Sequence, residues 1–245
     1  MEVIMASDDN KYRQFQESLE HLQGQFYVLE TNVPVEAQMD YFRYSEKVRK
    51  DDDRPAVETA IEILNDRETE ISDREKKYAM TTLAISGDVK AYRALESYSQ
   101  HPDENLKNWA SMSLLQAKMT LESEFSDEKH IFISTGLGGK GNMLRFYVFF
   151  KSKDLKPFST YQVQLIEKEI PFFVQEAHGV VEEVKVFENY FHLIFLINIK
   201  SNIKDVLEEA IIECNQYGDF IDRSFILTNV KVFDEDDIKK ELEKN

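Results

Sequence analysis

Val180-Val-Glu-Glu-Val-Lys-Val-Phe-Glu-Asn-Tyr-Phe-His-Leu-Ile-Phe-Leu-Ile-Asn-Ile199 is the stretch whose reading decides the fold. It divides at Glu188-Asn189, residue types that suit a turn, into two runs rich in β-branched and aromatic residues, and so reads as a β-hairpin. Its second run, Tyr190 to Ile199, is apolar at both alternating sets of positions, as expected of a central strand covered on both faces. Downstream, the spacing predicts a helix over 202–216, a strand over about 224–233, and a short charged helix capped by Asp234. Upstream, Pro157 and Ser159 mark the start of a helix over 160–177 and His178-Gly179 its end. Pro171 should kink that helix or shift its start, and the alternation Tyr161, Val163, Leu165 leaves a strand as an alternative there. Earlier still, His130-Ile-Phe-Ile-Ser and Met143-Leu-Arg-Phe-Tyr-Val-Phe-Phe flank a glycine-rich turn and read as another hairpin.

The resulting order is strand, strand, helix, strand, strand, helix, strand. It contains the βαββαβ order of a ferredoxin-like fold with an extra strand in front. Ferredoxin-like sheets host ligand binding, RNA binding or dimerisation, so this architecture does not choose a function.

Before about residue 128 the pattern changes to helical spacing with few glycines. Helices are expected at about 8–22, 34–50, 55–65, 72–86, 88–100 and 103–123, with Asp73 before one, Gly87 after it, Asp88 opening the next and His101-Pro102-Asp103 closing that one. In the last, Leu106, Trp109, Ala110, Leu114, Ala117 and Leu121 share a face that must be buried. An offset of 31 residues pairs Ala60 with Ala91, Leu64 with Leu95, Tyr78 with Trp109, Ala79 with Ala110 and Leu83 with Leu114. The run from Gly87-Asp-Val-Lys-Ala-Tyr-Arg-Ala-Leu to Trp109-Ala-Ser-Met-Ser-Leu-Leu resembles HEAT repeats, best over residues 55–123, about two helix pairs. That resemblance implies a curved surface for a partner. Because so few repeats rarely stand alone, it also implies capping by the N-terminal helices or the second domain. The expected organisation is therefore an α-helical HEAT-like domain over 1–128 and an α+β ferredoxin-like domain over 129–245.

The chain has 245 residues and a formal charge of −16, of which the first 128 residues carry −12. Such acidity excludes a generic duplex-nucleic-acid binder that works by neutralising phosphates, and no nucleic-acid partner is expected. With 42% hydrophobic, 31% charged and 12% aromatic residues, the composition is that of a folded soluble protein. One cysteine, Cys214, excludes an intrachain disulfide framework and suits a small buried apolar role. The acidic N-terminus lacks the basic and apolar regions of a signal peptide, and no apolar run approaches the roughly 20 residues of a spanning helix, so the expectation is cytoplasmic with no membrane partner.

Gly136-Leu137-Gly138-Gly139-Lys140-Gly141 holds four of the eight glycines. It matches G-x-G-x-x-G, but a dinucleotide fingerprint needs a helix afterwards and Met143–Phe150 reads as a strand. Asn142 after Gly141 removes a Walker loop, and the kinase motifs that accompany a glycine loop between strands are missing. What remains is a flexible hairpin tip, or an anion site in which Gly136, Gly138, Gly139 and Gly141 present backbone N–H groups while Lys140 and Arg145 add charge. Lys151, Lys153 and Lys156 follow nearby. Stacking of single-stranded RNA on Phe146, Tyr147, Phe149 and Phe150 is opposed by overall charge. The histidines at 21, 101, 130, 178 and 192 lack metal-ligand spacing. His192, in a core strand near Glu188, reads as a structural histidine before an acid–base group. The clusters Asp51-Asp52-Asp53 and Asp234-Glu235-Asp236-Asp237 read as a linker and a helix start.

No motif commits to a reaction, no catalytic residue or metal ligand is assigned, and no cofactor is expected. The sequence favours a non-catalytic interaction or scaffold protein whose acidic helical surface meets a basic protein, with the α+β domain as a second contact or a homodimer interface. The alternative is a small-ligand or anion sensor at the Gly136–Gly141 loop.

Overall fold

The computed structural model describes residues 4–5, 25–66, 71–125, 130–198 and 200–244; the expected helix at 8–22 lies outside them. They group into two compact units, residues 24–133 and residues 134–245 together with the N-terminal segment that contains strand β1 (Ile4–Met5).

The first unit is helical: α1 (Val35–Arg49), α2 (Val57–Asn65), α3 (Asp73–Ala84), α4 (Val89–Gln100) and α5 (Lys107–Phe125), the last preceded by a short 3-10 turn at Glu104–Leu106. The positions paired by the 31-residue offset are where these helices meet. Ala60 and Leu64 of α2, Ala79 and Leu83 of α3, Ala91 and Leu95 of α4, and Ala110 of α5 are buried in one cluster, with Leu114 packed on it. Small side chains at these positions let α2 pack on α3, α4 on α5, and α3 on α5. A second cluster seats α1, where Tyr41 Oη and Ser45 Oγ donate to Gln116 Oε1 at 2.6 and 2.9 Å. Ser72, one residue ahead of Asp73, caps α3: its hydroxyl accepts from Glu75 N and its own N–H donates to Glu75 Oε2. The serine wins because its oxygen reaches the third helical amide while Glu75 closes the reciprocal bond. Asp88 caps α4 as expected, after Gly87 at φ 70°.

The second unit holds β4 (Gly139–Lys140), β5 (Met143–Ser152), α6 (Thr160–Glu176), β6 (Val180–Val186), β7 (Tyr190–Asn198), α7 (Ile203–Asn215), β8 (Ile221–Thr228) and α8 (Glu235–Glu243). Its sheet runs β1-β8-β5-β7-β6, every neighbouring pair antiparallel, with β4 beside β5. On one face Phe146, Val148 and Phe150 of β5 and Phe191, Leu193 and Phe195 of β7 are buried, with Phe150 stacked on Phe191 at 4.4 Å. Helices α6 and α7 bury Ile166, Ile170, Val174, Leu207, Ala210, Ile211 and Cys214 as the second layer. The other face carries Tyr147, Phe149 and Ile226, under Leu137, Phe233 and Ile238 and Leu242 of α8.

Two expectations are corrected, and a third, the helix expected over 160–177, is kept with its start fixed. The strand His130–Ile133 (β3) does not form a hairpin with β5; it pairs in parallel with β2 (Gln25–Val28) in the helical unit, so the chain changes units after residue 133 rather than 128. The extra strands of the α+β sheet are β4 and β1 instead. The last strand is shifted upstream to 221–228, because Asn229 leaves the ladder to accept from Leu137 N. Helix α6 is continuous through Pro171 and starts at Thr160, with Ser159 and Gln162 forming a capping box. The missing proline N–H costs a single hydrogen bond within a helix whose buried side packs on the sheet.

Candidate functional site

The structure brings the glycine-rich residues and Arg145 together, and their polar groups are engaged by one another, by neighbouring main chain and by Glu182. Leu137 N donates to Asn229 O at 3.0 Å, Gly138 N to Thr135 O at 3.2 Å, and Arg145 N to Gly138 O at 3.0 Å. Gly136 lies so close to the segment after β8 that a Cβ there would stand 1.8 Å from the Val230 carbonyl oxygen. Gly138 and Gly141 have φ of 68° and 60°, and Gly139 pairs with Leu144 in the ladder. Gly136 to Gly139 are buried, and only Lys140 and Gly141 of the six face solvent.

Arg145 is held as a fork. Nε and Nη2 bond Glu182 at 2.5 and 2.8 Å, and Nη1 donates to Leu137 O at 2.8 Å. This pairing holds the Glu182 carboxyl below the usual carboxylate range and raises Arg145. The bulge of β6 between Val181 and Glu183 is where Glu182 stands. The other basic residues are similarly engaged: Lys151 with the carbonyls of Glu241 and Lys244, Lys153 with Asp219, and Lys156 with Asp154.

His192 is buried in β7, and its Nε2 lies 2.7 Å from Glu183 Oε1, not beside Glu188. Its ring stands 5.4 Å from that of Tyr147. Neither His192 Nδ1 nor Tyr147 Oη meets a hydrogen-bond partner, and burial keeps the Tyr147 phenol well above its ordinary range and neutral. Burial beside Glu169 and Glu213 pushes the Cys214 thiol up to about 12, which keeps it a protonated, inert core group. No group of three or more His, Cys, Asp or Glu among the described residues is placed to hold a metal ion, and no described helix is long and apolar enough to cross a membrane.

The outer side of α6 and α7 carries features the sequence reading passed over. Tyr161 and Phe172 are 55% and 50% exposed, and Ile212 and Tyr217 are 56% and 54% exposed. Tyr161, Lys168 and Phe172 recur at helical spacing, hence on one side of α6. The Tyr161 and Tyr217 rings, 6.5 Å apart, bring the start of α6 to the end of α7. Around these apolar groups the two helices bear seven acidic residues and two lysines, and Lys168 and Lys204 are already paired with Glu169 and Glu208. The available signal was the excess of large apolar residues over what one buried stripe needs.

No known protein family matches the chain, and no curated protein matches it. Among solved structures, a protein from Deinococcus radiodurans R1 described as a "putative transposase" is similar over 41% of this chain and 89% of its own, at 14% identity and a TM-score of 0.36. A likeness at that score carries no argument about this chain.

Proposed function

We propose that this chain is a non-catalytic interaction protein, in which a short HEAT-like helical stack and a ferredoxin-like α+β unit present binding surfaces, and that the outer face of α6 and α7 receives a basic protein. The observation that carries the reading is the set of four half-exposed side chains, three on two acidic helices and Tyr217 just past the end of α7. Burying one such side chain against a partner is worth about 1.5–3 kcal/mol, and the surrounding carboxylates select for lysine- and arginine-bearing surfaces and speed their encounter. A second copy of the chain is a poor occupant, because acidic helices would oppose acidic helices. The sensor alternative at the Gly136–Gly141 loop rests on exposed Lys140, Arg145 being engaged by Glu182.

The test uses the full chain as bait in extracts of its native cell. A partner retained at low salt, released at high salt, and lost from the Phe172→Lys/Ile212→Lys double variant at unchanged melting temperature is the expected result. Retention of the same proteins by the variant overturns the reading, and sedimentation to a dimer that the variant abolishes replaces the basic partner with a second copy.

A further inference from the structure

Helices α6 and α7 pack side by side, and the contact of Tyr161, at the start of one, with Tyr217, past the end of the other, makes them antiparallel. Their outer seam is a groove between two ridges of side chains. Half-exposed apolar groups stand on both ridges, Tyr161 and Phe172 on the α6 side, Ile212 and Tyr217 on the α7 side. The stretch from Tyr161 to Phe172 runs about three turns, roughly 16 Å along the axis. The charge around the seam is one-sided. Both lysines of these helices are paired, Lys168 with Glu169 and Lys204 with Glu208. Glu167 and Glu176 of α6 and Glu209 of α7 are exposed and meet no cation among the described residues.

The form of the occupant follows from what the seam offers. An extended peptide draws its affinity from the free main chain of a sheet edge, whereas the main chains of α6 and α7 are consumed by their own helical hydrogen bonds. Only side chains are available here. The occupant must therefore satisfy its own main chain and direct apolar side chains to both ridges along one line. An amphipathic helix does both: residues at i, i+4, i+7 and i+11 form one stripe about three turns long, the span from Tyr161 to Phe172. Lysines and arginines beside that stripe reach carboxylates on either ridge while their alkyl stems cover apolar surface.

We infer that the α6–α7 seam receives a basic amphipathic helix of a partner protein, laid along the groove with its apolar stripe against Tyr161, Phe172, Ile212 and Tyr217. The inference rests on the proposed role of this surface in binding a basic protein, and adds the form that the partner takes. Glu167, Glu176 and Glu209 select the cations that flank the stripe and reject an acidic helix of the same pattern.

The probe is a dye-labelled synthetic peptide of about 15 residues with leucines at i, i+4, i+7 and i+11 and lysines and alanines elsewhere. Titrated with the full chain and followed by fluorescence anisotropy, it should bind saturably and more weakly as salt rises. A peptide of the same composition, permuted so that its leucines share no face, should bind at least about tenfold more weakly. Phe172→Ala and Ile212→Ala should each weaken the patterned peptide about tenfold at unchanged melting temperature. Equal binding of the two peptides, or undiminished binding by the Phe172→Ala/Ile212→Ala variant, overturns the helix. A cellular partner that needs Phe172 and Ile212 but is not displaced by the patterned peptide also overturns it, and leaves the basic-partner reading standing. A patterned peptide that binds at this seam, while the cellular proteins are retained equally by the double variant, upholds the helix site and overturns that wider reading.

Discussion

The glycine-rich loop at 136–141 and the cleft between the end of α1 and the start of α3 each set an arginine near a lysine, yet one arginine is clasped by its neighbours and the other is exposed to solvent. In the loop the amides of Leu137 and Gly138 are satisfied by main-chain carbonyls, and Arg145 is clasped by Glu182. In the cleft Lys47 and Arg74 are exposed beside Asp51 and Glu75, two cations and two carboxylates whose formal charges balance. What separates a structural turn from a solvated surface is therefore whether neighbouring groups close on the charged side chain. A motif such as G-x-G-x-x-G says nothing about that state.

The contrast breaks most directly at Gly136. A methyl group there meets the Val230 carbonyl oxygen at 1.8 Å, so Gly136→Ala must displace main chain and should cost about 3 kcal/mol in chemical denaturation. A loop that tolerated alanine would be a free hairpin tip after all. Glu182→Gln comes next. It leaves the Arg145 guanidinium, 24% exposed, with a weaker partner, and a loss of about 1–2 kcal/mol is expected. The same pair predicts a pH dependence. Glu182 has a depressed carboxyl in the folded state, so its stabilisation is full above the ordinary glutamate range and is lost as pH falls through the lowered value. Denaturation midpoints measured from neutral to acid pH should show this decline in the wild type and a shallower one in Glu182→Gln. Gly141→Ala, at φ 60° but with open space around it, should cost only about 1 kcal/mol. Smallest of all, Arg74→Ala should change stability by less than about 0.5 kcal/mol, as befits an exposed side chain with no ion-pair partner among the described residues.

The sequence reveals most where one physical constraint dominates. The helix pairs of the first unit are legible because Ala60, Ala91, Ala79 and Ala110 recur where helices touch and must be small there. The β5-α6-β6-β7-α7-β8 order is legible from Tyr190–Asn198, whose two apolar faces require cover on both sides. The partnership of β3 was not, because His130–Ile133 reads the same whether its neighbour is Met143–Phe150 or a segment a hundred residues earlier. Strand pairing over long separations leaves no local trace. The sites followed the same rule. The glycines read as a flexible hairpin tip, whereas Gly136 to Gly139 are buried, and Glu182, which neutralises Arg145, lies 37 residues away in a bulge. The cleft was invisible because Asp51 and Tyr78 are brought together only by the packing of α1 against α3, and Asp51 alone reads as part of a linker.

The parallel pairing of β2 with β3 sets the first and last strands of the helical unit side by side, from Gln25 opposite His130 to Val28 opposite Ile133. The helical unit is thus nested inside the sequence of the other. During synthesis the inner unit has all its residues once Ile133 has left the ribosome, whereas Ile4 of β1 must wait for Leu227 before the outer sheet can close.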